Sequence, residues 1–436
     1  MLTCKRLYSS FFFLLFCMLF AFGQNNINSP YTRYGYGKLA DQSYGQNMSM
    51  GGIGYGMRTG GQINPLNPAS YSLVDSLTFL FDFGLMAEMS RISDGTASRR
   101  DYDGNILYLS MQFRLMKRLG MSVGLKPYSN IGYNYGEPDI VGDTYGLYQY
   151  QGSGGLTQIY GGLGYELIKN RLSLGFNFGY IFGDLDRNIY LTFPESASTS
   201  VGTQSRGYPV TQVARIEAHS IFYEGGIQYT RPIGKKDQLT VGAVFSPKQK
   251  FSSDNTCTRT IYDSKTTGSS SNPTVILSKD STSGQTLYMP LSLGVGFSYI
   301  KNNKLTLGAD VLYQAWSDVP YPAENYTFND RMKYAVGVEY VPNQFIQRGF
   351  WKRIRYRAGA YYSNSYFDVK DSGINEYGAT AGVGLPFRIR GRESMLNIGA
   401  EYLKIVPGKN LINEQHFRIT VGMTFCETWF HKRKFD

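Results

Sequence analysis

Apolar residues recur at every second position through most of this chain. In Leu172-Ser173-Leu174-Gly175-Phe176-Asn177-Phe178-Gly179-Tyr180, large apolar residues alternate with Ser, Gly and Asn. Side chains of a β-strand point alternately to opposite faces, so this segment has one apolar face and one face of small or polar groups. The same period, broken by turn residues, predicts fourteen strands, near 76–92, 105–117, 120–133, 155–168, 171–193, 207–231, 238–261, 275–301, 304–318, 331–342, 353–368, 375–389, 393–406 and 413–427. Their connections alternate in length. Lys117-Arg118, Lys169-Asn170, Gly234-Lys235-Lys236-Asp237, Lys301-Asn302-Asn303-Lys304 and Arg390-Gly391-Arg392 are short, and 343–352 is somewhat longer. Long connections are expected near 93–104, 134–154, 194–206, 262–274, 319–330, 367–375 and 407–412.

An apolar strand face needs either a second sheet or lipid. After the first 25 residues no apolar run could cross a bilayer as a helix, which takes about 20 consecutive residues. Only a closed barrel hides its backbone polar groups in lipid without such a run. Short turns at one end and longer loops at the other are the outer-membrane pattern. The expected fold is all-β: a transmembrane antiparallel β-barrel of fourteen strands over 76–427, in the outer membrane of a Gram-negative cell. An even strand number returns the chain to the periplasmic side on which the barrel began.

Composition agrees. The 436 residues include 50 Gly, 36 Tyr and 27 Phe, and aromatics reach 15%, while mean hydropathy is only −0.29. Residues 1–23 read as a signal peptide: Lys5 and Arg6, an apolar run from Phe11 to Phe22, then Ala21 and Gly23 ahead of Gln24. Phe16 is too large for a lipobox before Cys17, and the segment is short for a retained anchor. Cleavage removes Cys4 and Cys17. Cys257 and Cys426 would lie at opposite ends of the barrel, too far apart for a disulfide. The net charge of +11 suggests nucleic acid at first sight, but the cations are dispersed among the short turns. There they would face inner-leaflet headgroups or simply make soluble turns, so no nucleic-acid partner is expected. Residues 428–436 form a basic periplasmic tail. Tryptophan favours membrane interfaces, and Trp316, Trp351 and Trp429 all fall at predicted strand ends.

Residues 24–75 are rich in Gly and Asn and lack sustained alternation. They would hang in the periplasm or fold into the lumen as a hatch. Within them lie Met50-Gly51-Gly52-Ile53-Gly54 and, further on, Asn67-Pro68-Ala69, preceded by a second pair, Asn64-Pro65. These runs, just before the first strand, resemble the FadL/TodX-type family of outer-membrane transporters for hydrophobic compounds. The resemblance implies fourteen strands, an N-terminal hatch inside the barrel, and a kink in the third strand that opens the wall sideways. Pro127 sits in the third strand here and marks that candidate lateral opening. The basic tail is similar to tails of barrels from the Bacteroidota, among which FadL-like proteins also serve in secretion machinery.

Strand parity assigns Asp82, Glu166, Glu224, Asp310, Glu339, Arg357, Glu401 and Arg418 to the lumen face, together with glycines such as Gly175, Gly294, Gly337 and Gly399. Charge on the lipid face is costly, about 2–4 kcal/mol for Arg or Lys at mid-membrane. Arg33, Lys38 and Arg58 of the hatch could pair with the lumen carboxylates and hold the plug; single solvation in a wet lumen is the alternative. The glycines leave room for a hatch or merely ease strand curvature.

Enzymatic chemistry is not expected. The histidines are His219, His416 and His431, and His416 reads as a girdle residue without a partner. Asp101-Tyr102-Asp103-Gly104 is no EF-hand, because its twelfth position is Gln112. Glycines 52, 54, 56 and 60 do not spell G-x-G-x-x-G. No cofactor or metal is implied. The expected function is passive uptake of a hydrophobic, fatty-acid-like small molecule through a hatch-gated channel in contact with membrane lipid and lipopolysaccharide. The alternative is a non-transporting barrel subunit of an outer-membrane secretion or protein-assembly complex, with the basic tail and the tyrosine-rich 133–151 as docking surfaces. A continuous apolar tunnel would speak for the first, and a lumen blocked by a pinned hatch for the second.

Overall fold

The computed structural model describes residues 28–141, 144–193, 209–234, 236–262, 274–321, 326–343, 349–369, 372–389, 392–408 and 411–428. The signal segment 1–23, Trp429 and the tail beyond it, and the connections 194–206 and 263–273 lie outside the described residues. Fourteen antiparallel strands close into a barrel. They are Thr78–Ser93 (β1), Ser98–Met116 (β2), Leu119–Val141 (β3), Thr144–Ile168 (β4), Leu172–Thr192 (β5) and Val210–Pro232 (β6). Then come Gln238–Ser246 with Gln249–Tyr262 (β7) and Thr274–Met289 with Ser292–Lys301 (β8), each in two pieces. Leu305–Gln314 (β9), Arg331–Tyr340 (β10), Arg355–Asn364 (β11), Ile374–Ile389 (β12), Arg392–Pro407 (β13) and Asn413–Thr428 (β14) complete the wall. Closure is by β14 on β1, in register from Thr428↔Thr78 to Asn413↔Ser93.

The alternation becomes two faces. On β5, Phe176 and Phe178 are 51% and 54% exposed, whereas Ser173 and Asn177 on the other face are 0% and 2% exposed. The outward row is the lipid face of an outer-membrane barrel, and the inward row meets a filled interior. At the end that holds Thr78 and Thr428 the turns are short, which makes it the periplasmic end. Asn302 and Asn303 both adopt positive φ, 52° and 53°, and Lys304 N–H bonds Lys301 C=O at 3.0 Å. That is the type I′ hairpin turn, for which asparagine is among the cheapest residues.

The outer end departs from expectation at two places. Neither 93–104 nor 134–154 is a long loop: Ser98–Met116 is strand, and Leu119–Val141 with Thr144–Ile168 runs to a hairpin tip. Strands of 23 and 25 residues far exceed the span, which needs about 9–11, so they project beyond the membrane. Pro247 and Pro290 interrupt β7 and β8 at the same height, which explains why each is in two pieces. Trp316 is not at the lipid interface. It is wholly buried inside the outer half of the barrel, whereas Trp351 is 74% exposed on the periplasmic side. Cys257 and Cys426 are free thiols near opposite ends.

The wall parts in a seam between β2 and β3. β2 and β3 are paired only from Met116↔Leu119 up to Leu109↔Leu125. Above that point β2 stays with β1 and β3 stays with β4, and each carries an irregularity there: between Gly84/Leu85 against β2, and between Pro127/Ser129 on β3. The freed edge of β3 is partly covered from inside. Lys38 and Leu39 pair with Asn130 and Ser129, Ala40 N–H bonds Tyr128 C=O, and Ser29 N–H bonds Gly132 C=O.

Phe178 lies in the outward run Leu174–Phe182. Phe178→Arg is expected to destabilise the barrel by about 2–4 kcal/mol, read as a lower denaturation midpoint in lipid vesicles with unchanged spectroscopic strand content.

Candidate functional site

The lumen is occupied by residues 28–75 of the same chain. Their elements are short: 3-10 turns at Pro30–Arg33 and Pro68–Leu73, a two-residue strand at Lys38–Leu39, and one helical turn at Gly45–Met48. Wall side chains hold this segment by its backbone. Asp310 accepts from the N–H groups of Gly54 and Tyr55 at 2.5 and 2.9 Å. Gln228 donates to the carbonyls of Tyr55 and Met57, each at 3.0 Å, and Ser298 donates to Gly56 at 2.7 Å. Nearer the outside, Tyr36 packs among aromatic rings, with centroids 5.6 Å from Trp316 and 6.1 Å from Phe251. Trp316 in turn lies 4.5 Å from Tyr366, whose hydroxyl bonds Gly37 C=O at 2.5 Å.

The two sequence motifs have physical uses. Gly51 and Gly52 have φ of 71° and 82°, and a Cβ on Gly51 would stand 2.8 Å from the carbonyl oxygens of Val336 and Ala360. Only glycine lets this loop turn left-handed and touch the wall backbone. Asn67 caps the 3-10 turn by accepting from Ala69 N–H at 3.1 Å, with Pro68 at the first position. Its amide nitrogen bridges Tyr55 C=O and the wall carbonyl of Ile227. Asn64, from the second Asn-Pro pair, ties the carbonyls of Gly54 and Met57 at 2.7 and 2.9 Å. The wall answers with small residues: Gly175 lies so close to Pro68 that a Cβ there would come within 2.2 Å of its carbonyl carbon.

The charged residues sort into two groups. In the first, wall and segment meet: Arg58 pairs with Glu166 at 3.3 Å, Lys333 with Asp41 at 2.9 Å, and Asp310 clamps the Gly54 turn. In the second, the wall pairs with itself. Glu339 holds Arg357 at 2.7 Å and Arg355 at 3.0 Å, Arg357 also donates to Asn397, and Arg418 bridges Glu88 and Glu401. Asp82 accepts from Thr424 and Tyr108, and Glu224 from Asn177. Pairing of Glu339 and Glu401 with segment cations is therefore not what holds the plug. Arg33 stacks on the Tyr150 ring at 4.0 Å and bonds Tyr135, while the Lys38 ammonium has no hydrogen-bond partner among the described residues.

Other participants escaped the sequence. His416 is not a girdle residue. It is buried between Glu88 at 2.6 Å and Glu414 at 3.0 Å, and Glu414 also accepts from Ser29. Lys126 is 6% exposed, with its ammonium 5.4 Å over the Tyr160 ring. Strand period fixes which face a residue occupies, so His416 and Glu414, two apart, were legible as a same-face pair. The register that brings Glu88 opposite was not.

The space left inside is small and lined by a mixture of apolar and charged side chains. Two neighbouring chambers of about 120 and 110 Å³ share Gln42, Tyr55, Leu66, Tyr128, Leu312 and Gln314 in their walls. Charged groups, among them Lys126, Glu224, Asp310 and Lys333, complete the lining. A vestibule of about 390 Å³ opens at the periplasmic mouth among Gln62, Lys304, Glu339, Arg355 and Arg392. Pro127 sits at the seam, where its carbonyl accepts from Gln42 at 3.0 Å.

A closed fourteen-stranded barrel around its own N-terminal segment defines an outer-membrane protein of FadL-like architecture. The fold is similar to that of a Pseudomonas aeruginosa FadL homologue (TM-score 0.61, 13% identity, covering 89% of this chain and 99% of that one). It is also similar to the toluene transporters TodX of Pseudomonas putida (0.57, 16%, 90% and 100%) and TbuX of Ralstonia pickettii (0.54, 15%, 90% and 99%). The family model of BamG matches residues 4–436, and the chain belongs to the BamG family. The likeness to FadL and TodX proteins is one of fold, and the family is BamG. No curated protein sequence matches the chain.

Two outcomes test the pinning. Asp310→Ala removes the acceptor of two buried N–H groups, a loss of about 1–3 kcal/mol; amide exchange at Gly54 and Tyr55 should accelerate by roughly 10- to 100-fold. Burial alone would raise the Asp41 carboxyl, but the Lys333 ammonium and bonds from Ser43 outweigh it and hold it at about 2, against 3.8 ordinarily. A depressed carboxyl contributes stability above its unfolded value and loses it as pH falls through the folded one. A spin label at Gln42 should therefore gain mobility as pH falls from about 4 to about 2, and Lys333→Met should show that mobility already at neutral pH.

Proposed function

We propose that this protein is a plugged, non-transporting barrel of the outer membrane that serves as the membrane-embedded subunit of a secretion or protein-assembly complex. The observation that carries this reading is the filled lumen. Residues 28–75 meet the wall through backbone hydrogen bonds, two ion pairs and an aromatic cluster. The chambers that remain, about 120 and 110 Å³, fall below the roughly 300–1,000 Å³ of ordinary ligand pockets, and charged groups stand among the apolar side chains that line them. Membership of the BamG family does not bring transport with it, as membership of a transporter family would.

A second reading, the uptake channel for hydrophobic compounds, is favoured by one observation: the seam between β2 and β3. There Pro127 and Leu125 stand where the wall ceases to be hydrogen-bonded, and residues 29–40 act as a removable cover. In that reading Pro127 marks a lateral exit into lipid, and residues 24–75 are a gate.

One experiment separates the two. The protein is extracted mildly from native membranes and sized, and the purified full chain is placed in vesicles with labelled oleate or toluene outside. The subunit reading expects a stoichiometric complex well above the 49.0 kDa chain and vesicle uptake no faster than that of empty vesicles. A monomer that accelerates uptake, and loses the effect when the cover is stapled to β3 by a Leu39→Cys/Ser129→Cys disulfide between directly paired residues, overturns it.

A further inference from the structure

We infer that the periplasmic rim of this barrel is a binding ring for anionic phospholipid headgroups of the inner leaflet. Every one of the six periplasmic connections carries an exposed cation at or beside it. Going around the wall these are Lys117, Lys169, Lys236, Lys301, Lys352 and Arg388. None of the six has an ion-pair partner among the described residues. At the opposite end Arg99 is bound to Asp101 at 2.8 Å and Arg215 to Asp186 at 2.7 Å, while Arg100 and Lys279 are exposed and form no ion pair with another described residue; what sets the periplasmic cations apart is their place at every connection. Two acids of the periplasmic rim are already engaged, Asp237 by Asn302 N–H and Tyr299, and Glu393 by Arg353. With Asp75 and Glu427 these are the unburied acids at that end among the described residues, and the exposed cations of the turns outnumber them.

Height selects lipid as the partner. In four of these connections the cation follows, within three residues, the last exposed apolar side chains of the lipid-facing band. Met116 precedes Lys117, Ile168 precedes Lys169, Ile233 precedes Lys236, and Trp351 precedes Lys352. An apolar body in acyl chains with an ammonium just beyond is how lysine snorkels to a headgroup plane, and Trp351 marks the same interface. Distribution points the same way. The cations encircle the whole barrel, as an annulus of lipid does, whereas an acidic protein would engage one sector. The shared chemistry is a phosphate anion. The six cations stand on separate turns and none of them lines the periplasmic vestibule, so attraction depends on many headgroups held at a surface.

The test uses the full mature chain in phosphatidylcholine bilayers that contain spin-labelled phosphatidylglycerol or spin-labelled phosphatidylcholine. Protein-bound phosphatidylglycerol should exceed phosphatidylcholine by roughly three-fold or more at low salt and approach parity at about 0.5 M salt, where the Debye length shrinks to a few ångströms. The variant Lys117→Gln/Lys169→Gln/Lys301→Gln/Lys352→Gln should lose most of the preference, and the corresponding Glu variant should invert it. All four sites are exposed turn positions, and heat-modifiable gel mobility confirms that each variant is folded. Inorganic phosphate at matched concentration should not displace the lipid; displacement would assign the rim to free anions and overturn the inference. Equal association of the two lipids, or a preference retained in the Gln variant, also overturns it. So does a salt-sensitive acidic protein that binds through one sector without lipid preference.

Discussion

A polypeptide in hydrocarbon has no water to bond with, and every strand edge left open there costs several kcal/mol per unsatisfied group. Closure of β14 on β1 is the answer, and the remaining architecture follows from it. Fourteen strands enclose more space than inward Ser and Gly side chains can fill. The same small residues that leave the space also let a backbone come close, as Gly175 does with Pro68 and Gly242 with Tyr55. Wall and N-terminal segment are two halves of one packing solution, and neither has a complete core alone.

At the seam between β2 and β3 closure is relaxed. Bulges on both sides let β2 and β3 part above Leu109 and Leu125, in the outer half of the wall. A free strand edge is a liability, and here the chain covers one of the two with its own residues 29–40. Ser29 is tied to Gly132 on β3 and to Glu414 on β14, with His416 and Glu88 behind it, while Asn28 reaches Asp101 on β2. The cover is therefore anchored on both sides of the gap it fills.

How much of this was legible follows from which distances the sequence encodes. Alternation works where one face meets lipid, and the predicted 171–193 and 413–427 lie within a residue or two of Leu172–Thr192 and Asn413–Thr428. It failed at 134–154, because beyond the membrane both faces are wet and Gly, Gln and Tyr carry no hydrophobic period. Period two gives a residue its face but not its partner. Glu339 opposite Arg357, and Glu401 opposite Arg418, are matters of register between strands, which a single chain does not spell out. Trp316 was misplaced for a related reason: a strand end is an interface only if nothing folds over it, and here Tyr36, Phe328 and Tyr366 do.

The lumen also constrains how anything could pass. Expelling the whole segment would break the Arg58–Glu166 pair, the Asp41–Lys333 pair and the Asp310 clamp together. Separating the buried Arg58–Glu166 pair costs about 3–5 kcal/mol, and freeing the two buried N–H groups of the Asp310 clamp about 1–3 kcal/mol more; the partly exposed Asp41–Lys333 pair adds little. A hydrophobic ligand contributes only about 0.3 kcal/mol per heavy atom once it is drug-sized, so a molecule of about twenty such atoms could offset one or two of these contacts. Whole-plug displacement would also break the Gln228 and Ser298 bonds and the aromatic cluster, and is out of reach for a ligand of that size. What remains movable is the stretch from Lys38 to Gln42, held to β3 by a two-residue strand and a few further backbone contacts, and to β10 by the partly exposed Asp41–Lys333 pair. Any traffic through this barrel, of ligand or of a partner's strand, has to begin at the seam and leave the Asp310 clamp in place.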